Sequence, residues 1–181
     1  MTKKDSIVKA ALSLLSKNGI HATPMSAIAK EAGTGMGTIY NYFPNKEILI
    51  NHIYQFVKSQ EQDIFKPFIP EENIKSQFFT YYILATEFFT QNIEYFQFME
   101  QLHASPIITE ESRKFGQDAA KEVHNLIESG KANGIIKNIP TQELLQFIGG
   151  SLLSTIRWNV QQNNPNYVES QLNLVWDAIK A

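Results

Sequence analysis

Apolar side chains recur at three- and four-residue intervals along almost the whole of the 181-residue chain, the spacing that lines one face of an α-helix. The strict alternation of a half-buried strand is absent. The first such stretch predicts a helix over 3–17, with Ile7, Ala11, Leu14 and Leu15 on one face. Thr2 and Asp5 are spaced as a capping box, Asp standing in for the usual Glu. Asn18-Gly19 stops this helix, glycine taking a left-handed cap at little cost. Thr23-Pro24 then starts a short second helix, with threonine as N-cap and proline where no amide hydrogen is missed. It carries Met25, Ile28 and Ala29 and ends at Ala32-Gly33. After Gly33-Thr34-Gly35 a third helix spans 36–43, ended by Pro44, which disfavours helical geometry in the residue before it. Asn45 caps a fourth helix over 46–65, with Ile48, Leu49, His52, Ile53, Phe56 and Val57 inward. Residues 66–70 form a break. Five more helices are expected at 72–91, 92–104, 109–133, 141–162 and 166–180. Nine helices and no sheet make an all-α protein.

Composition narrows the class. Hydrophobic residues make up 43% and aromatics 12% of a chain with no cysteine. Disulfides, thiolate nucleophiles and cysteine-based zinc sites are thereby removed, which fits a reducing interior. Lys9 interrupts the N-terminal apolar run before a signal-peptide core forms, and no stretch nears the roughly 18 apolar residues of a membrane span. A soluble, cytoplasmic protein with no membrane partner is expected. The net charge of −2 is unevenly spread: the first fifty residues carry +3 and the rest −5. A basic head on an acidic body suits a protein that offers one end to a polyanion.

Two short helices joined by a glycine-containing turn form the motif whose second helix enters a major groove. In the third helix Ile39 and Phe43 lie on one side, leaving Gly37, Thr38, Tyr40, Asn41 and Tyr42 at the flanks and outer surface. Gly37 lets the backbone approach a duplex closely. Thr38 offers a methyl or a hydroxyl to a base edge, and Asn41 has the donor and acceptor that pair with adenine N7 and N6. Tyr40, Tyr42 and Lys46 suit phosphate oxygens; packing aromatics and a solvated lysine are the plainer alternatives.

The stretch from Ile7 to Leu49, with Gly19-Ile20-His21-Ala22-Thr23, Ile28-Ala29-Lys30-Glu31-Ala32-Gly33 and Gly37-Thr38-Ile39-Tyr40-Asn41-Tyr42-Phe43-Pro44-Asn45-Lys46-Glu47, resembles the TetR family of repressors. The resemblance implies a two-fold dimer. It also implies a three-helix DNA-binding domain over 1–46 and a helical effector-binding and dimerisation domain over 47–181, with the fourth helix as connector. By family role Thr23 contacts phosphate, Thr34 and Gly35 occupy the turn, Gly37, Thr38 and Asn41 face bases, and Tyr40, Tyr42 and Lys46 hold the backbone. One departure stands out. Where the family commonly has Val-Ser and then a basic or polar residue, this chain has Thr34-Gly35-Met36, so the side-chain cap and the charged contact are missing. Weaker phosphate attraction, or apolar contact of Met36 with a thymine methyl, is expected.

Beyond the head, the resemblance supplies architecture but no chemistry. Positions 78, 82, 85 and 89 share a helix face, an aromatic stripe that suits plain core as readily as a cavity for a hydrophobic effector. Candidate effector residues are Phe78, Tyr82, Phe89, Phe98, His103, Phe115, Trp158 and Asn159. Gly149 and Gly150 cost about 1 kcal/mol each inside a helix, understandable if another helix comes close there. With Leu153, and with Leu172, Val175, Trp176 and Ile179 on the last helix, they make the expected dimer interface. The four histidines are scattered, no set offers the ligands zinc needs, and no phosphate-cradling loop or nucleophile is recognisable. No cofactor and no enzymatic activity are expected. The partners expected are double-stranded operator DNA, a second copy of the chain, and a small-molecule effector that lowers DNA affinity by favouring another head spacing; control by a protein partner is the alternative.

Overall fold

The computed structural model describes residues 2–102, 105–162 and 165–181, without the side chains of 161, 162, 165 and 166. The described residues form ten α-helices: α1 Lys3–Asn18, α2 Met25–Glu31, α3 Met36–Tyr42, α4 Lys46–Gln62, α5 Ile74–Gln91, α6 Ile93–Leu102, α7 Glu110–Ala119, α8 Lys121–Ala132, α9 Thr141–Gln162 and α10 Pro165–Ile179. An isolated antiparallel bridge joins Ile136 to Lys180.

Local chemistry accounts for many of the ends. The capping box of α1 is present in both directions: the Thr2 amide donates to Asp5 Oδ2 at 2.8 Å, and the Asp5 amide to Thr2 Oγ1 at 3.1 Å. Asn45 Oδ1 caps α4 by accepting from the Ile48 amide, and Asn73 Oδ1 does the same for α5 at Ser76. The stretch expected as one helix over 109–133 is two, because Ala120 leaves helical geometry (ψ 15°) between α7 and α8. No glycine or proline stands at that bend, so periodicity alone runs straight through it.

The chain folds as two compact units. The first comprises Met1–Ser59 and Asn92–Gly116. In it α1 packs on α6 and on α2, and α2 on α3. Its centre is filled by Ile7, Leu15, Ile28, Ile39, Phe43, Leu49, Ile53 and Phe98. Asn51, mid-helix in α4, is buried and fully used: Nδ2 donates to the Glu47 and Ile107 carbonyls, and Oδ1 accepts from the Thr109 amide at 2.9 Å. Gln55, one turn on, donates to Ser112 Oγ. Ile48, expected inward, is 46% exposed; Ile50 and Asn51 take the buried positions instead.

The second unit comprises Gln60–Gln91 and Gln117–Ala181. Its core joins α5, α8, α9 and α10 through Ile74, Phe78, Tyr82, Leu126, Ile127, Ile148, Leu172, Val175, Trp176 and Ile179. The Phe78 and Trp176 rings lie 5.6 Å apart. The segment after α4, expected as a mere break, is a fastened strap. The Tyr81 hydroxyl donates to the Lys66 carbonyl, the Phe68 amide donates to Glu122 Oε2, and the Gln77 amide bonds both backbone groups of Ile69. Phe65 and Phe68 of this strap lie against the core. No helix among the described residues is long and apolar enough to cross a membrane.

Candidate nucleic-acid interface

The candidate surface starts at the end of α1. Gly19 has φ +93°, which turns the chain toward α2 where a side chain would strain it. The Thr23 side chain is 1% exposed, and its hydroxyl donates to the carbonyls of Gly19 at 2.9 Å and Leu14 at 3.3 Å. This corrects one expectation: Pro24, not Thr23, is the N-cap of α2, with no side-chain cap bond, and the Thr23 hydroxyl is engaged inside the turn.

The end of α2 is a Schellman motif. Gly33 has φ +63°, its amide donates to the Lys30 carbonyl, and the Thr34 amide reaches back to that of Ala29; this satisfies carbonyls that a helix end leaves orphaned. Gly35 caps α3 with its backbone alone, and Phe43 in extended geometry closes it ahead of Pro44.

Two anchors fix α3. Ile39 and Phe43 are buried, and the Phe43 ring is met by His52 at 5.3 Å and overlain by the Lys4 ammonium at 5.8 Å. The His52 imidazole is held below its ordinary pKa by burial, with the Lys4 charge adding to the effect. Everything else on α3 turns outward: Tyr40 is 45% and Tyr42 44% exposed, Met36, Gly37 and Asn41 are exposed, and Thr38 is half-buried. Thr34 is half-buried and Gly35 exposed in the turn ahead. Lys46, at the first residue of α4, is half-buried, and burial holds its ammonium below the usual lysine value. A seven-residue helix anchored by Ile39 and by its C-cap Phe43 therefore presents hydroxyls, an amide and a methionine, with no acidic side chain on it.

Comparison with known proteins decides what this surface belongs to. Residues 7–53 match the bacterial regulatory proteins, tetR family, and residues 49–181 match the tetracyclin repressor-like C-terminal domain. The chain belongs to the TetR family. It is a helix-turn-helix, DNA-binding transcription regulator. Among relatives, the HTH-type regulator YhgD of Bacillus subtilis (strain 168) is 26% identical over 174 residues, 90% of this chain and 86% of its own. The fatty acid metabolism regulator protein of the same organism is 41% identical over 63 residues, which span 32% of each chain. A solved structure described as a tetR family transcription regulator, from Shewanella sp. PV-4, superposes with a TM-score of 0.91 at 24% identity, covering 100% of both chains.

Against that TetR frame, the residues expected to bind effector fall in both units. Phe78, Tyr82 and Phe89 are buried on α5, in the second unit. Phe98 and Phe115 belong to the first unit, Phe98 fully buried and Phe115 37% exposed. Trp158 is 47% exposed on α9, its ring 5.9 Å from that of Tyr167, and Asn159 is half-buried. His103 lies outside the described residues. The polar feature of the buried stripe is Tyr82, whose hydroxyl meets Thr155 Oγ1 at 2.9 Å and whose pKa burial pushes up.

Of the residues expected at the dimer interface, the four on α10 face inward. Leu172, Val175, Trp176 and Ile179 form the inward face of α10 and are covered by their own chain, Trp176 to 6% exposure. A side chain already packed at home has no surface left for a partner. The outward face of α10 carries Leu174, 61% exposed, and that of α9 carries Phe147 and Trp158. Gly150 is exposed, Gly149 and Leu153 are half-buried, and a Cβ at either glycine would meet nothing within 4 Å.

Sequence reasoning passed over Gln101 and Asn51, two amides that fasten α6 to the end of α1 and the segment before α7 to α4. Asn51 had a signal: asparagine is a poor residue for a helix interior unless its side chain is engaged. Gln101 had none, since glutamine on a helix is ordinary.

Proposed function

We propose that this protein is an effector-released repressor that binds a near-palindromic operator as a dimer. DNA contacts are assigned to residues 1–46, and effector binding and dimerisation to 47–181. The observation that carries the reading is the outward face of α3: Met36, Gly37, Tyr40 and Asn41 are exposed, with Thr38 half-buried beside them, while Ile39 and Phe43 lock the helix from behind. Asn41 reads adenine, Thr38 and Met36 meet thymine methyls, and Tyr40, Tyr42 and Lys46 take phosphates. Two such helices related by a two-fold axis meet successive major grooves about 34–36 Å apart.

Dimerisation is assigned to the outward faces of α9 and α10, around Phe147, Gly150, Trp158 and Leu174. Large exposed apolar residues alternating with glycine and serine suit close helix packing in a second copy. The effector is assigned to the aromatic interior of the second unit, with Tyr82 and Thr155 as its polar handle. Their environment of rings and aliphatics favours a neutral, apolar ligand. The fatty acid metabolism regulator aligns with the DNA-binding end alone, so acyl compounds enter a ligand panel as one apolar class among several.

The test is selection of duplexes from random-sequence DNA, followed by binding titration. A near-palindromic consensus, with affinity at least a hundredfold above scrambled duplex, is the expected result. No enrichment over scrambled sequence at low salt would overturn the reading.

A further inference from the structure

We propose that Gln101, on α6, is a positioning residue for DNA binding: its amide holds the turn that sets how α2 and α3 leave α1. The proposal rests on the helix-turn-helix reading above and adds a residue remote from the recognition helix. Gln101 Oε1 accepts from the Ile20 amide at 2.9 Å, and Nε2 donates to the carbonyls of Leu15 at 3.1 Å, Ser16 at 3.3 Å and Gln97 at 3.1 Å. One side chain thus grips the last turn of α1, the first buried residue after it, and its own helix.

The grip matters because of where it falls. The last carbonyls of a helix lack intrahelical partners, and here Ser16 and Gly19 receive theirs from Gln101 and Thr23. Ile20 is buried, so its amide would lose its partner without ready access to water, an outcome more costly than a lost surface bond. Between Gly19 and Pro24 there is no regular structure to hold the angle of α2. The hydroxyl of Thr23 fixes that turn from within, and the amide of Gln101 fixes it from outside. Of two further polar links between α1 and α6, the Ser13–Glu94 hydrogen bond is part-buried and the Lys17–Glu94 ion pair is largely exposed, where such a pair adds little. Since α3 rests on α2 and α2 on α1, a loosened turn tilts the recognition helix while removing no DNA contact.

A contact residue and a positioning residue differ in what they change. Losing a phosphate contact lowers the salt dependence of binding, whereas losing alignment weakens binding with that dependence intact. The probe is a duplex selected by the wild-type protein from random-sequence DNA. Gln101→Met keeps the shape without hydrogen bonds, and Gln101→Glu keeps the acceptor for Ile20 while setting a carboxylate against the three carbonyls of Leu15, Ser16 and Gln97. Both should bind about tenfold more weakly, the scale of one to two hydrogen bonds, with an unchanged salt slope, at a temperature where circular dichroism shows them folded. Phe96→Leu, a core change on the same helix, should lower the melting temperature without lowering affinity. Affinities of both Gln101 variants within twofold of wild type would overturn the proposal. Should either variant fail to fold, hydrogen exchange of the Ile20 amide in the wild-type protein decides. Protection that deepens on DNA binding is expected, and exchange at the rate of exposed amides would overturn it. A wild-type protein that selects no duplex sinks the DNA reading itself, an outcome distinct from variants that bind a selected duplex normally.

Discussion

The hydroxyls of Tyr82 and Thr155 meet at 2.9 Å between α5 and α9, in an interior otherwise built of rings and aliphatic side chains. Thr155 also donates to the Ser151 carbonyl. The two partners are therefore not equivalent. Thr155→Val leaves the buried phenol with the Ser151 side chain as its remaining partner and should cost about 1–3 kcal/mol. Tyr82→Phe leaves Thr155 its backbone acceptor and should cost about 1 kcal/mol or less. Urea unfolding of the two variants checks the order; equal costs would show that the pair does not behave as its geometry implies.

Thr23 and Lys46 separate fold from contact. Thr23→Val removes two buried hydrogen bonds of the α1–α2 turn and should lower unfolding free energy by about 1–2 kcal/mol, with the salt slope of DNA binding unchanged. Lys46→Ala should lower that slope by about one with little change in stability. Binding titrations over a range of salt concentrations, alongside thermal melts, distinguish the two.

His52 predicts a direction with pH. Its folded pKa lies below the ordinary imidazole value of 6.5, through burial and then the Lys4 charge. The unfolded chain thus binds the proton more readily, and the contribution to stability is full above pH 6.5 and lost as pH falls through the lowered value. His52→Gln should flatten this part of the stability profile as pH falls below the ordinary imidazole range, read by urea denaturation at each pH. An unchanged slope would show that the imidazole titrates alike in both states.

On the outer face of the second unit, Leu174→Arg and Gly150→Leu should shift the protein from dimer to monomer at micromolar concentration in light scattering. Both fit the isolated chain, Leu174 being exposed and Gly150 having open space beside it. Trp176→Ala should instead cost about 3–5 kcal/mol of folding stability as a core cavity. Persistence of the dimer in both outer-face variants would place the interface elsewhere.

Ile136 lies where a Cβ on Gly130 would fall, 2.5 Å from its Cδ1 and 2.8 Å from its Cγ1. Gly130→Ala should therefore destabilise by about 1–3 kcal/mol through overpacking, despite alanine's better helix propensity. Thermal unfolding decides; a gain in stability would show that Ile136 yields freely.

Periodicity and end signals made the helices legible, down to the Thr2–Asp5 box and the Asn45 cap, because those bonds form between residues three apart. What failed was whatever depends on a partner remote in sequence. Thr23 looks like an N-cap, yet its acceptors lie four and nine residues earlier. Leu172, Val175, Trp176 and Ile179 announce burial by their spacing, but spacing is silent on whether the cover comes from the same chain or another. Ile48 sits in the apolar period of α4 and still faces out, since Asn51 is drawn in by Ile107 and Thr109. In the candidate interface, the identity of the outward residues of α3 was readable; the amide that steadies the turn behind them, coming from 81 positions later in the chain, was not.

The strap between α4 and α5 has a mechanical corollary. Its backbone is tied down by a phenol, an amide and a carboxylate from α5 and α8, so this irregular stretch is as firmly moored as the helices beside it, and substitutions at Gln77, Tyr81 or Glu122 should each set part of it adrift.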